Sequence, residues 1–208
     1  MRLLCALLAA AALHAADLAT IRYSKTFPGS VPAYSSIWVD RGGKGEFNDS
    51  PAGEQMAVKF QLEQSETEVV FSLAAKLGNF TRPLESGLKV AFTGAKVFRY
   101  EEGAAKNEVK FNYTQEPDAQ LLLDWFERIC ETSLHAINLE HTARFDRLGL
   151  DKALLQLQIS ADRNRLAGAS QLLPILDKIA KTQSAFNRVR ERATSLAETI
   201  RAGKPKSE

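Results

Sequence analysis

The chain has 208 residues, 45% of them hydrophobic, with 27 lysines and arginines against 25 aspartates and glutamates and a formal net charge of +2. That length can enclose a sizeable core, and the near-balance of charge does not demand a polyanion as partner. Two cysteines, Cys5 and Cys130, are too few for a disulfide-dense scaffold or a thiolate zinc site.

The start of the chain has the pattern of an export signal. Arg2 supplies a positive end, Leu3–Leu13 an apolar run, and alanines a small-residue end. The run is shorter than the roughly 20 residues needed to span a bilayer. Cleavage after Ala16 fits the −1 position but leaves His14 at −3, whereas cleavage after Ala12 gives small residues at both. The alternative is a retained N-terminal helix. An exported chain cut after Ala16 keeps Cys130 alone, so no internal disulfide is expected. Cys130 then reads as a small buried hydrophobe, with intermolecular pairing or thiol chemistry as alternatives.

The next hundred residues read as sheet with one helix. Alternation predicts strands over 18–25, 34–40, 44–48 and 56–62. Arg41-Gly42-Gly43 suits a tight hairpin turn, and Phe27–Pro32 is a loop broken by Pro28, Gly29 and Pro32. Ser65 and Glu68 have capping-box spacing and begin a helix with Val69, Val70, Leu73, Ala74 and Leu77 on one stripe. That helix should stop at Gly78-Asn79. Leu88, Val90 and Phe92 predict a further strand, followed by strands over 96–100 and 109–113 as a meander.

After Pro117 the apolar period becomes about 3.6. Leu122, Trp125, Phe126, Ile129, Cys130, Ser133 and Ile137 mark one helix face, with a break expected between Phe145 and Gly149. Leu150, Leu154, Leu157 and Ala161 mark a second helix. A last helix is predicted from Ser170 to Ile200, its seam interrupted by Gln183 and Arg190. The fold class is therefore α+β: a small antiparallel sheet packed with two helices, followed by a C-terminal helical hairpin or arm. The expected divisions are a signal over 1–16, an α+β domain over 17–145, a helical arm over 146–202 and a flexible tail over 203–208.

No motif assigns a reaction. His135 and His141 are six residues apart and face different sides of a helix. Glu127, Glu131 and His135 line up at helical spacing; they could chelate a metal weakly, but read as a solvated polar stripe opposite Leu122, Phe126 and Ile129. They do not make up a structural zinc set. Asp40, Glu46 and Asp49 flank a hairpin without acid–base spacing. Ser30, Ser50 and Ser65 lie outside any nucleophile-elbow pattern. Arg41-Gly42-Gly43-Lys44-Gly45 lacks the phosphate-loop spacing. Lys96, Phe98, Arg99 and Tyr100, with Lys110, Phe111 and Tyr113, mimic a base-stacking sheet. Phe98 and Tyr100 share a face while Arg99 takes the other, which makes them core and argues against nucleic acid. No catalytic residue, cofactor or metal is assigned.

Ile21-Arg22-Tyr23-Ser24-Lys25, the Pro28-Gly29-Ser30-Val31-Pro32-Ala33-Tyr34 loop and the helix of Glu66–Phe80 together carry a resemblance. Over about residues 20–125 the chain resembles a family of exported bacterial domains of unknown function. There a first strand leads to a Gly…Cys-Pro-x-Tyr loop and then to a leucine-rich helix ending near a phenylalanine; Val31 stands here at the cysteine position. The resemblance implies export and an α+β fold, and no reaction.

The sequence thus leads to an exported, periplasmic or extracellular, non-enzymatic protein with an interaction or structural role in the cell envelope. A protein partner or self-association would use the C-terminal helices, and no stable membrane span remains after signal cleavage. The alternatives are a small secreted hydrolase with a non-contiguous site, and a small-ligand carrier with a cavity between sheet and helices.

Overall fold

The computed structural model describes residues 18–51 and 57–203. The expected signal, residues 204–208 of the expected tail, and Met56 at the start of the expected strand 56–62 lie outside the described residues. Within them, six strands form one antiparallel sheet: β1 (Thr20–Thr26), β2 (Tyr34–Asp40), β3 (Lys44–Asn48), β4 (Val58–Gln61), β5 (Ala95–Glu102) and β6 (Ala105–Phe111). Their order is β4-β3-β2-β1-β5-β6. Five helices accompany it: α1 (Gln64–Lys76), α2 (Pro117–Phe145), α3 (Leu150–Asp162), α4 (Leu173–Lys181) and α5 (Asn187–Ala202). This is the mixed α+β class that the change of period near Pro117 implies.

Strand alternation gives the sheet one apolar face. Ile21, Tyr23, Ile37, Val39, Phe47, Phe98, Tyr100, Val109 and Phe111 are all buried on it, beneath α1 and α2. The rings of Tyr23 and Phe126 stack at 5.0 Å, and Phe80 stacks on Phe98 at 5.2 Å. Phe98 and Tyr100 are therefore core, not a stacking platform. The opposite face carries polar groups such as Arg22, which donates to Glu101 at 3.1 Å. One covered and one wetted face is the usual economy of an antiparallel sheet. The β2–β3 turn forms where predicted. Asp40 Oδ1 accepts from the N–H groups of Gly42 and Lys44 at 2.8 and 3.0 Å, and Gly43 takes φ +81°.

Three expectations need correction. Helix α1 starts earlier than Ser65: its N-cap is Glu63, whose backbone N–H donates to Glu66 at 3.0 Å. The capping box exists, shifted two residues towards the N-terminus, because a carboxylate can cap as well as a hydroxyl. Leu88, Val90 and Phe92 form no strand; they are 51%, 42% and 56% exposed. Strand β5 already has β1 and β6 on its two sides, so this segment cannot pair with the strand that follows it in the chain. It loops past the end of β6, where Thr93 N–H donates to Asn112 Oδ1 at 2.8 Å and Asn112 Nδ2 to the Ala91 carbonyl at 3.2 Å.

The third correction concerns the last helix. Ser170 lies in a 3-10 turn over Ala169–Leu172, and the chain reverses after α4 at Thr182, whose ψ is 103°. The 3-and-4 spacing runs on through this break because α4 and α5 both contribute apolar residues to one seam. That seam is a second core: Leu139, Leu154, Leu157, Leu172, Leu176 and Ala193 are fully enclosed in it. Helix α2 belongs to both cores. Ala119, Leu122, Phe126 and Ile129 face the sheet, while Ala136 and Leu139 serve the helical core. Among the described residues no helix is long and apolar enough to cross a membrane.

Candidate functional site

The register of the sheet places polar groups where core would continue. Tyr23 pairs with Ile37 on β2 and Phe98 on β5; two residues on, Lys25 pairs with Ser35 and Lys96. Alternation puts Ser35, Lys25 and Lys96 on the same helix-facing side as that aromatic row. The covered face of the sheet therefore ends in a serine and two lysines. The Phe27–Pro32 loop walls this end on one side and α2 on the other, which leaves an open cleft of about 410 Å³. Tyr23, Lys25, Ser35, Cys130 and His135 reach its surface, with Val31, Pro32 and Leu134 as apolar wall.

The polar groups differ in how well they are satisfied. Lys96 is buried, and its ammonium donates to the Asn112 carbonyl at 2.7 Å, Thr93 Oγ1 at 2.9 Å and the Gly94 carbonyl at 3.2 Å. It closes the loop behind the cleft; burial first, then Lys25, lowers its pKa. Lys25 Nζ lies 4.0 Å from the Glu127 carboxylate, beyond hydrogen-bond reach. Ser35 is buried at the edge of the cleft. The Tyr23 hydroxyl is fully enclosed and unpaired among the described residues, on a residue 2% exposed. Burial, and then the nearby Glu127 and Cys130, hold that phenol well above its ordinary range, so it remains a donor. Cys130 is half-buried and its thiol is pushed up to about 12, chiefly by burial. That is the environment of an inert thiol rather than a nucleophile.

His135 and Glu131 are not a solvated stripe. Helix α3 covers that side of α2, and Ser160 on α3 sits between the two: its Oγ donates to Glu131 at 2.6 Å and lies 2.9 Å from His135 Nε2. Arg165, just past α3, donates to Glu131 at 3.2 Å and also pairs with Asp124. Arg128 stacks over Trp125 at 4.2 Å and donates to the Leu166 carbonyl at 3.0 Å. Two helices with polar facing surfaces pack where those groups satisfy one another; here Arg128 Nε is left enclosed and unpaired among the described residues. The stripe looked solvated in sequence because nothing in the period of one helix reveals that a second covers its far side.

The Ser160, His135 and Glu131 trio has the membership of a hydrolytic triad but not its order. A hydroxyl has one proton. Since Ser160 gives it to Glu131, His135 must donate to Ser160 rather than accept, the reverse of a general base. Ser160 also lies within α3, where backbone N–H groups are engaged by the helix and no oxyanion pocket forms. Among the described residues no group of three or more histidine, cysteine, aspartate and glutamate side chains could hold a metal ion. His141 is elsewhere, with its ring 5.2 Å from that of Phe145. Asp40 and Glu46 stay at the β2–β3 hairpin, away from the cleft.

The clamp predicts a pH dependence. Burial lowers the pKa of His135, only partly offset by Glu131. Below about pH 6.5 the unfolded chain takes up a proton that the folded chain resists, so stability should fall as pH drops from that value. Urea midpoints at pH 7.5 and 5.5 should differ in the native protein, and that difference should shrink in His135→Gln. Equal pH dependence in both proteins would remove His135 as its source.

The strand pattern could have pointed to Lys25 and Lys96, since each stands two residues from an aromatic on a core-facing set. Ser160 and Arg165 carried no such signal, because their partners lie 29 and 34 residues away on α2. Compared with known proteins, the chain matches no protein-family model, no curated protein and no solved structure.

Proposed function

We propose that this is an exported, non-catalytic binding protein whose cleft between β1 and α2 receives a small ligand. The observation that carries this reading is the cleft itself: a concave surface of about 410 Å³ where the covered face of the sheet ends in Lys25 and Ser35 beside α2. The cleft volume is within the range of small-molecule sites. Export rests on the basic-then-apolar pattern of residues 1–16, and the loose resemblance over 20–125 supports the same compartment. The reversed order of Ser160 and His135 weighs against a hydrolase.

A second reading, docking of a protein partner or a second copy, is favoured by the far end of the helical core. Phe145, Leu148 and Phe186 are 75%, 82% and 68% exposed on its α2–α3 and α4–α5 turns. The seam of the C-terminal helices is enclosed, so an interaction through them would use this tip rather than the seam.

Native mass spectrometry of the protein recovered from its host separates these readings. An N-terminus near Asp17 and a non-covalent adduct of small-molecule mass, lost in Leu134→Trp, are expected. An N-terminus at Met1 would remove the export assignment. A bare chain in the envelope, binding only a polypeptide that Phe186→Ser releases, would replace the ligand reading with the second.

A further inference from the structure

We propose that the far tip of the helical core docks on an anionic phospholipid surface. Phe145, Leu148 and Phe186 enter the boundary between headgroups and acyl chains, and the arginines and lysines around them meet the lipid phosphates. This goes beyond the ligand reading and does not depend on the cleft. It gives the tip to lipid rather than to a protein.

The tip is built from two connections, 146–149 between α2 and α3 and 182–186 between α4 and α5. They adjoin. Arg147 and Leu150 line one small hollow together with Thr182 and Phe186, and Asp151 pairs with Arg188 across the junction. Phe145 and Leu148 stand on the first connection and Phe186 on the second, each more than two-thirds exposed. Large apolar groups gathered at one exposed place and rimmed by polar residues mark a protein or membrane contact.

Charge separates those two. Taken with one helical turn on either side, the connections span 142–153 and 178–190. They hold seven lysines and arginines and two aspartates, a net of +5. The whole chain is at +2, so everything outside the tip is at −3. Both aspartates are engaged: Asp146 accepts from the Gly149 N–H at 2.9 Å, and Asp151 pairs with Arg188 and Arg192. Arg144, Arg147, Lys178 and Lys181 are all exposed. Helix dipoles account for Arg144, Lys178 and Lys181, which lie in the last turns of α2 and α4. They work against Arg188 and Arg190, in the first four residues of α5, and they do not place Arg147.

A second copy docked tip to tip would set +5 against +5, a like-charge contact that association avoids. A protein partner calls for close shape complementarity around anchors seated in pockets. Here the hollow measures only about 80 Å³, and the apolar side chains project from it. A fluid lipid layer conforms to separate projecting groups. It takes phenylalanine and leucine at its boundary and, when anionic, attracts lysine and arginine.

The test is co-sedimentation of the protein with vesicles of phosphatidylcholine alone and of phosphatidylcholine with about 30% phosphatidylglycerol, at roughly 0.1 M and 1 M salt. Leu3–Leu13 is itself apolar, so native chain and variants are compared with the same N-terminus. The native chain should bind the anionic vesicles about tenfold or more tightly than the neutral ones, and high salt should remove most of that gain. Leu148→Ser with Phe186→Ser should weaken binding about tenfold or more. Arg147→Gln with Lys181→Gln should do the same, since each cation near an anionic surface is worth about fivefold. All four side chains are exposed, and circular dichroism checks that the folds are kept. A tryptophan reporter, Leu148→Trp, should be quenched by phospholipid brominated on its acyl chains beyond the quenching of Trp38 and Trp125 in the native chain. Equal vesicle binding by native chain and tip variants, or binding indifferent to lipid charge and salt, would overturn the proposal. So would absence of vesicle binding, and a polypeptide held by the native chain but released by Phe186→Ser would then return the tip to a protein partner. The ligand reading stands or falls separately, on the adduct lost in Leu134→Trp.

Discussion

Replacing Phe126 by alanine is expected to lower stability by about 3–5 kcal/mol, the usual cost of deleting a large buried aromatic. Phe126 is fully buried. Its ring stacks on Tyr23 at 5.0 Å and lies 5.9 Å from Phe98. It is the contact through which α2 closes the centre of the sheet, because Tyr23 on β1 and Phe98 on β5 are register partners. Val70 and Phe71 on α1 belong to the same core. For a chain of this size each kcal/mol moves the melting temperature by about 2–4 °C, so a fall of roughly 6–20 °C should appear in a thermal scan. Calorimetry checks it. A loss below about 1 kcal/mol would mean that the ring is peripheral to the core. The variant should also disturb the cleft, because Tyr23, which lines it, leans its ring on Phe126.

The contrast between what was and was not legible in sequence follows from the range of the interactions. Ile21, Tyr23 and Ile37 show their burial in local alternation, and Asp40 to Lys44 contains all the groups that make its turn. Such features need only neighbours along the chain. The segment over Leu88–Phe92 has the same local pattern and is no strand: alternation records nothing about pairing, and β5, the next strand in the chain, already has a neighbour on each side. The cleft lies between these cases. Lys25 and Lys96 were readable as charges at core-facing positions, yet their meeting with Ser35 is a property of register across three strands. Ser160 was invisible: a serine inside an amphipathic helix has no local feature that announces a partner on α2. Gly168 is similar. Its N–H donates to Glu66 at 3.1 Å across 102 residues of sequence, and its φ of +62° turns the chain beside Leu62. The sequence says nothing of its role in tying α1 to the C-terminal helices.

The second large effect is expected at Leu154. Leu154→Ala should cost about 2–5 kcal/mol, since the side chain is fully enclosed within the helical core and its loss leaves a cavity among Leu139, Leu157, Leu176 and other apolar neighbours. The informative quantity is the shape of the transition. If residues 146–202 were an independent arm, the helices would melt early, while Trp38 in β2 and Trp125 in α2 reported an undisturbed sheet. The architecture argues otherwise. Helix α2 supplies Phe126 to one core and Leu139 to the other along a single continuous rod, and Ala167, beyond α3, is buried in the sheet core rather than the helical one. Thr132 on α2 accepts from the Ala167 N–H at 3.1 Å, and Arg128 holds Leu166. Loosening α3 therefore withdraws support from the sheet side as well. Helical circular dichroism and tryptophan fluorescence should follow one coincident denaturant curve in Leu154→Ala, displaced to a lower midpoint with unchanged slope. Two separated curves would show that the helices fold as their own unit. In that event the clamp of Glu131, Ser160 and Arg165 would be a docking contact between units rather than part of one core.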